Sequence, residues 1–263
     1  MGEDHQRIYH RAWSQLGPPL RPPSGVILAV KEQISDIGGR ALLLGVTPEL
    51  ADVAPHLVAI DRNFSMVANV WPGNTTSRCA MVGDWRRPNF KSDAFSICIG
   101  DGSLSFLTFP DETAALFLEL DRILRSGGRI VFRLYVAPAI AETASALKAE
   151  ALSGKIKSFH AFKIRLGMAL VAQQSAPEVR VADILAAFNS LFKNRQELVQ
   201  MAGWNRDQID TIDFYKDSIV SFSFPKRDQV LSIASKTFPN ARFVSSGSYE
   251  MSELCPLLIA DKA

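Results

Sequence analysis

Short runs of apolar residues alternate with amphipathic helical stretches through the first half of the chain. Five runs have the length of strands and are apolar almost throughout, as strands are when helices cover both faces of a parallel sheet. This alternation predicts a doubly wound α/β sheet, whose ligand site lies at the carboxyl ends of its strands. The strands are predicted at residues 41–44, 57–60, 80–82, 95–99 and 130–135.

The segment between the last two of these strands carries the signals of a crossover helix. Asp111 and Glu112 are acidic residues suited to a helix N-terminus, and Leu116, Phe117 and Leu120 follow at helical spacing. The Ser-Gly-Gly sequence at 126–128 then ends the helix. We therefore expect a strand, a helix and a parallel strand in succession.

The alternation breaks after the fifth strand. Helical stripes cover residues 159–170 and 181–192, and no strand is expected between them. We expect extended residues 219–224 to resume the sheet, followed by a helix at 227–238. Two further strands, at 242–246 and 256–260, would complete it.

This pattern divides the chain into four segments. Residues 1–25 are an N-terminal arm, in which a helical stripe precedes a proline-rich connector. Residues 26–153 form a Rossmann-like core, and residues 218–263 complete its sheet. Residues 154–217 are a helical insertion, which would act as a lid or supply a substrate pocket.

Composition and charge narrow the function classes. Hydrophobic residues make up 47% of the 263 residues, which excludes disordered, collagen-like and disulfide-scaffold proteins. The 29 Lys and Arg residues against 27 Asp and Glu leave a net charge of only +2, which disfavours a nucleic-acid partner. The basic groups of the insertion are interpreted as a solvated helix face. These are Lys155, Lys157, Lys163 and Arg165.

The cysteines and the apolar runs indicate in which cellular compartment the protein resides. Cys79, Cys98 and Cys255 lie far apart inside apolar runs, which predicts buried free thiols and no metal site. The first residues lack a secretory apolar region, and no run is long enough to span a bilayer. We therefore expect a cytoplasmic protein without membrane partners.

The first strand ends at a turn suited to a nucleoside rather than to a dinucleotide. Gly45 permits close backbone approach, while Thr47 and Pro48 suit the start of a helix. A dinucleotide would need further glycines, and Glu49 places negative charge where phosphates would bind. A nicotinamide or flavin dinucleotide, and with it an oxidoreductase, is therefore disfavoured.

The next three strands also end in polar residues. Asp61 can accept both hydroxyls of a ribose, Asp84 can accept from an adenine amine, and Trp85 can stack on the base. Asp101, between Gly100 and Gly102, would face the reacting end of the ligand. Each position alone is typical of a turn, but the set favours a nucleoside site.

In these features the sequence resembles the class I S-adenosylmethionine-dependent methyltransferases. Gly45 in LLLGVTPEL matches the first glycine of their cofactor loop, Asp61 the ribose-binding acid, and Asp84 the acid near adenine. GDGSLSFL matches the fourth-strand motif, and LDRILRSGGRIVFRLY the helix, turn and fifth strand. The resemblance covers about residues 26–140 and the final strand. It implies a seven-stranded sheet whose last strand is antiparallel.

The resemblance also implies a cofactor, a reaction and a set of binding residues. S-adenosylmethionine would donate a methyl group to a small-molecule acceptor by in-line displacement, without a metal. Trp13, together with Tyr9, would close over the cofactor as an N-terminal flap, or would belong to a hydrophobic helix docked on the core. The cofactor-binding residues are then Trp13, Gly45, Thr47, Asp61, Asp84, Trp85 and Asp101.

The sequence departs from the family pattern at two positions, and it does not identify a general base, so alternatives to this function remain. The family's acidic residue two positions before the first glycine is Leu43 here, and its second glycine is Thr47. A catalytically lapsed, protein-binding scaffold is therefore the alternative to an enzyme. Arg133 would bind an acidic group or form a structural ion pair. No catalytic residue is assigned, and the candidate bases are His5, Tyr9, His10, Tyr135 and His160.

Overall fold

The computed structural model describes residues 10–263, and its centre is a seven-stranded sheet. The strands of the protein are β1 (Arg40–Leu44), β2 (His56–Asp61), β3 (Arg78–Val82), β4 (Phe95–Asp101), β5 (Leu124–Arg133), β6 (Glu178–Arg180), β7 (Ser221–Ser223), β8 (Arg242–Val244) and β9 (Leu257–Asp261), and all except β6 and β7 belong to this sheet. The strand order is β3-β2-β1-β4-β5-β9-β8, in which the first five strands are parallel and β9 is antiparallel to both of its neighbours. This confirms the predicted doubly wound fold.

Helices cover both faces of this sheet, and short 3-10 helices lie at His10–Gln15, Pro48–Leu50, Ser103–Phe106, Thr211–Tyr215 and Ser252–Leu254. The α-helices are α1 (Ser24–Ile34), α2 (Phe64–Asn69), α3 (Asp111–Ile123), α4 (Ala144–Leu152), α5 (Phe159–Val171), α6 (Val181–Leu191), α7 (Arg195–Met201), α8 (Arg206–Asp210) and α9 (Arg227–Ala234). None of the helices within residues 10–263 is both long and apolar enough to cross a membrane.

The apolar runs are continuous because successive side chains enter cores on opposite faces of the sheet. Leu42 and Leu44 of β1 pack into one core with α3 and α9, whereas Ala41 and Leu43 pack into the other with α1. All four are essentially excluded from solvent. Burial on both faces is the reason that the sequence shows runs rather than an alternation of polar and apolar residues.

One of the five predicted strands is not buried. β3 pairs only with β2 and so lies at the edge of the sheet, where Met81 and Val82 are exposed. The prediction that Cys79 is buried is wrong for the same reason, whereas Cys98 and Cys255 are buried. Position in the sheet, rather than composition of the run, decides this exposure.

The fifth strand and the first turn also differ from expectation. β5 begins at Leu124, so the predicted helix stop at 126–128 lies within the strand, where Gly127 has a φ of +71°. After β1, the expected helix is only the 3-10 turn Pro48–Leu50, with Thr47 before it and no side-chain cap.

The helical insertion has an apolar core of its own, and it contains a strand that the sequence did not predict. β6 lies between α5 and α6 and pairs antiparallel with β7. Residues 219–224 therefore do not resume the main sheet, because their regular part, β7, belongs to this separate two-stranded sheet. The insertion core contains a cluster of aromatic rings in mutual contact, among them Phe159, Phe162 and Phe188.

Candidate functional site

A cleft lies at the carboxyl ends of the parallel strands, where the fold predicts a ligand site. Its volume, including the open mouth, is about 1130 Å³. All seven residues predicted to bind a cofactor contribute to its lining. They are Trp13, Gly45, Thr47, Asp61, Asp84, Trp85 and Asp101.

Gly45 and Asp61 form the floor of the cleft at the ends of β1 and β2. Gly45 has a φ of +97°, a conformation that favours glycine, and its amide donates to the carbonyl of Ile60. A Cβ at position 45 would stand 3.9 Å from Oδ2 of Asp61. The Asp61 Oδ1 accepts from the amide of Asn63 at 2.8 Å. The turn therefore places the backbone of Gly45 and the carboxylate of Asp61 beside any ligand group bound in the cleft.

Asp84, at the end of β3, is held by an arginine that the sequence analysis did not single out. Nε of Arg86 lies 2.9 Å from Asp84 Oδ1, and Nη2 lies 2.6 Å from Oδ2. These hydrogen bonds lower the pKa of Asp84, which is about two-fifths exposed. Trp85 packs in the sheet core and is only 9% exposed, so little of its ring can stack on a base.

Asp101, at the end of β4, forms a buried ion pair with Arg133 of β5. The two groups bond through both carboxylate oxygens, with Nη2 3.0 Å from Oδ2, and both side chains are almost fully buried. Burial raises the pKa of Asp101, and the guanidinium of Arg133 opposes that rise. Arg133 also donates to Tyr249 at 3.2 Å. Of the two roles considered for Arg133, the structure shows the ion pair.

The N-terminal segment lines the cleft and is held by an ion pair and hydrogen bonds to the core and the insertion. Arg21 forms an ion pair with Glu49 in the loop after β1. Tyr135 donates to the carbonyl of Pro19 at 3.0 Å, and Ser158 donates to that of Pro18 at 2.7 Å. These contacts hold residues 18–21 against the core and the insertion, and Trp13, which precedes them, lines the cleft.

The three candidate bases within residues 10–263 are not placed to take a proton from a ligand. The Tyr135 hydroxyl is engaged with Pro19, and burial raises its pKa well above the ordinary value. His160 is fully buried, lies 3.1 Å from the carbonyl of Gln15, and has a pKa lowered to about 3 by burial. Neither His160 nor His10 contributes to the cleft lining. His5 and Tyr9 lie outside the described residues.

The basic groups of the insertion do not share one solvated face, so that interpretation is wrong for two of them. Lys163 is fully buried with its Nζ 3.4 Å from Thr211 Oγ1 and 4.7 Å from the centre of the Tyr215 ring. Burial lowers its pKa to about 7. Arg165 is paired with Glu142 and Glu150. Lys155 and Lys157 are exposed, as expected.

Other lining residues were not predicted. Arg62, Asn63 and Arg86 directly follow the predicted aspartates, so strand-end position was their available signal. Phe222 reaches the cleft from β7, and the sequence pattern assigned that segment to the wrong sheet. The set that sequence reasoning missed also includes Leu16, Leu20, Leu44, Val46, Met66, Ser103, Ser105 and Phe106. Within residues 10–263, no group of three or more His, Cys, Asp or Glu side chains could hold a metal ion.

Comparison with known proteins gives a fold but no sequence family. No protein-family model and no curated protein matches the chain. A Rhodobacter sphaeroides structure, described provisionally as a zinc-dependent alcohol dehydrogenase, aligns over all of both chains with a TM-score of 0.59 and 12% identity. The N-methyltransferase NodS from Bradyrhizobium japonicum, bound to S-adenosyl-L-homocysteine, aligns over 99% of each chain with a TM-score of 0.51 and 11% identity.

A third similar structure is, like the second, a methyltransferase. Human N-acetylserotonin methyltransferase, solved with S-adenosylmethionine, has a TM-score of 0.51 and 11% identity, covering 98% of this chain and 55% of its own. Together with the strand order, these likenesses show that the chain has the class I methyltransferase fold.

Proposed function

We propose that the protein binds S-adenosylmethionine in the cleft and transfers its methyl group to a small-molecule acceptor. The observation that carries this proposal is the placement of Gly45, Asp61 and Asp84 around one cleft, at the ends of three adjacent strands. Fold similarity supports it, since structures of the same fold hold this cofactor or its demethylated product.

The residues present suit the cofactor part by part. Asp61 offers carboxylate oxygens to the ribose hydroxyls beside the open backbone of Gly45. Asp84 is held through both carboxylate oxygens by Arg86, and an adenine amine would have to share these oxygens with the arginine.

The departure at position 43 has a structural reason. Leu43 is fully buried in the core on the α1 side of the sheet, so a carboxylate there would lie among apolar side chains. The proposed cofactor-binding set therefore relies on the loop after β1, including Thr47, rather than on the strand itself.

In-line methyl transfer requires the protein to align the acceptor with the methyl group and to exclude water from the site. The bound cofactor supplies an electrophilic methyl group, and an in-line displacement needs the acceptor atom behind it. We propose that the N-terminal segment encloses this space, with Trp13, Leu16 and Leu20 as its cover, whereas no residue of the insertion 154–217 lines the cleft. The contacts of this segment with Glu49, Tyr135 and Ser158 would keep water away from the reacting atoms.

Replacement of Asp61 by alanine tests the proposed ribose contact. We expect the Kd for S-adenosylmethionine to rise about 10- to 150-fold, because hydrogen bonds to a charged group contribute about 1.5–3 kcal/mol. Titration calorimetry measures this change. Asp228→Ala, which removes an exposed carboxylate of α9, is the matched control and should leave the Kd unchanged. Equal affinity of Asp61→Ala and the wild-type protein would remove the basis of the assignment.

A further inference from the structure

The cleft extends beyond the residues proposed to hold the cofactor. Those residues follow the ends of β3, β2, β1 and β4, and Tyr135, just past β5, lines the far end. At the usual strand spacing of about 4.8 Å, the ends of β3 and β5 are about 19 Å apart. The length leaves room for an acceptor between β4 and β5.

Aromatic and aliphatic side chains form this end. The rings of Phe106 and Phe222 meet edge to face with centroids 5.2 Å apart, and Tyr135 lies on the same lining. Leu16 and Leu20 of the N-terminal segment also belong to the lining. Such walls favour a flat apolar ligand, which gains from burial and from contact with the rings.

Within residues 10–263, the same end offers no charged group to a ligand. The charged lining residues are Asp61, Arg62, Asp84, Arg86 and Asp101, all at or just after the ends of β2, β3 and β4. Past Asp101, the described residues of the lining include no acid, lysine, arginine or histidine. A charged acceptor would lose its hydration without gaining a counter-ion there.

Two serines give this end a neutral polar contact. The side-chain hydroxyls of Ser103 and Ser105 are buried and have no hydrogen-bond partner among residues 10–263. Both residues line the cleft. Since buried hydroxyls are normally hydrogen-bonded, a polar atom of a bound molecule is a fitting partner for them.

Among residues 10–263, no side chain at this end is placed to act as a base, which restricts the acceptor's nucleophilic atom. The Tyr135 hydroxyl already donates a hydrogen bond to the carbonyl of Pro19, and His160 lies outside the lining. A phenol needs to lose its proton as it attacks, and an alkylamine arrives as an ammonium ion at neutral pH. An arylamine or a neutral aromatic ring nitrogen carries a free lone pair under the same conditions.

We infer that the acceptor is an uncharged aromatic molecule with such a nitrogen, bound against Phe106, Phe222 and Tyr135; this rests on the proposed function. The nitrogen lone pair forms the bond to the methyl carbon while the carbon–sulfur bond breaks, and its electron pair stays on sulfur as the thioether. An arylamine then releases its extra N–H proton to water.

Three probes of matched shape separate these requirements. Naphthylamine is neutral and nucleophilic, naphthol is neutral but needs a base, and decahydronaphthylamine is a cation at neutral pH. With protein loaded with S-adenosylhomocysteine, we expect naphthylamine and naphthol to bind at least tenfold more tightly than the cation in calorimetry. With S-adenosylmethionine, we expect methylation of naphthylamine at least tenfold faster than of the other two.

The alternative outcomes are equally specific. Preference for the cation, or equal binding of all three probes, would overturn the assignment of an uncharged apolar acceptor. Methylation of naphthol at the rate of naphthylamine, or no methylation of naphthylamine by cofactor-loaded protein, would overturn the assignment of the nitrogen.

Replacing Phe106 tests whether the probe binds at this end of the cleft. Phe106→Ala should weaken naphthylamine binding at least fivefold without changing the Kd for S-adenosylhomocysteine. Phe90→Ala, which removes a partly buried ring of the sheet core away from the cleft, is the control. Phe106→Leu, which keeps an apolar side chain, replaces the alanine variant if the latter does not fold. Unchanged naphthylamine affinity in the folded Phe106 variant would contradict the placement.

Failure of the proposed function gives a different result from failure of this inference. If neither S-adenosylmethionine nor its product binds, the proposed function is wrong. The binding comparison then runs on unloaded protein, since the walls belong to the fold. Preference for the neutral probes there supports an apolar aromatic site, and its absence refutes one.

Discussion

Replacing Asp101 by alanine is expected to lower the free energy of unfolding by about 3–5 kcal/mol, the usual cost of leaving one partner of a buried ion pair alone. Asp101 and Arg133 are only 3% and 2% exposed, so water cannot solvate the remaining guanidinium. Its other described side-chain partner is the hydroxyl of Tyr249, which does not carry a compensating charge. Urea denaturation at neutral pH measures the change.

A similar pair nearby is the control. Asp84 and Arg86 are also joined through both carboxylate oxygens, but their side chains are 40% and 37% exposed. Asp84→Ala should therefore cost no more than about 1 kcal/mol. The double variant Asp101→Ala with Arg133→Met should recover much of the loss, because it removes the stranded charge. Equal losses for Asp101→Ala and Asp84→Ala would contradict the role assigned to burial.

Replacing Lys163 by methionine is expected to stabilise the protein by about 4–5 kcal/mol at pH 6. Nζ of Lys163 contacts the Thr211 hydroxyl and the faces of Tyr215 and Phe159 in the insertion core. Burial lowers its pKa from 10.5 to about 7, and each pKa unit corresponds to about 1.36 kcal/mol. Methionine fills similar space without a charge to desolvate.

The direction of the pH dependence follows from proton binding. Between about pH 7 and pH 10.5, the unfolded chain keeps the Lys163 proton while the folded chain has released it. The unfolded state therefore binds more protons, and wild-type stability rises with pH across this range. The advantage of Lys163→Met should shrink by about 1.4 kcal/mol per pH unit above pH 7.

Urea denaturation of both proteins at pH 6, 7, 8 and 9 checks this dependence. Lys155→Met is the control, because Lys155 is exposed on the same insertion and its replacement should change stability little at any of these values. A Lys163→Met advantage that is constant with pH would show that the ammonium is not the source of the cost.

The sequence predicted the fold because its strongest signals are local. Apolar runs, the acidic start of α3 and the strand-end turns depend on neighbouring residues. The exposure of β3 was missed, since a run such as Cys79–Val82 does not reveal that its strand lies at the sheet edge. The three-residue strands β6 and β7 were missed because their pairing depends on contacts between distant segments.

The same division applies to the site. Position at strand ends brought Gly45, Asp61, Asp84 and Asp101 into one lining, as the sequence pattern suggested. What the pattern could not give is which charges neutralise one another. The pairing of Asp101 with Arg133 and the burial of Lys163 among aromatic rings depend on tertiary packing.

Calorimetric titration of the wild-type protein tests the central claim most directly. The ligands are S-adenosylmethionine and S-adenosylhomocysteine, with NAD as the control for an oxidoreductase. We expect micromolar binding of the first two and none of NAD, since the turn at Gly45 lacks the further glycines that a pyrophosphate requires. Binding of NAD alone would favour the oxidoreductase. Absence of binding by all three would contradict the cofactor site and favour a protein-binding scaffold.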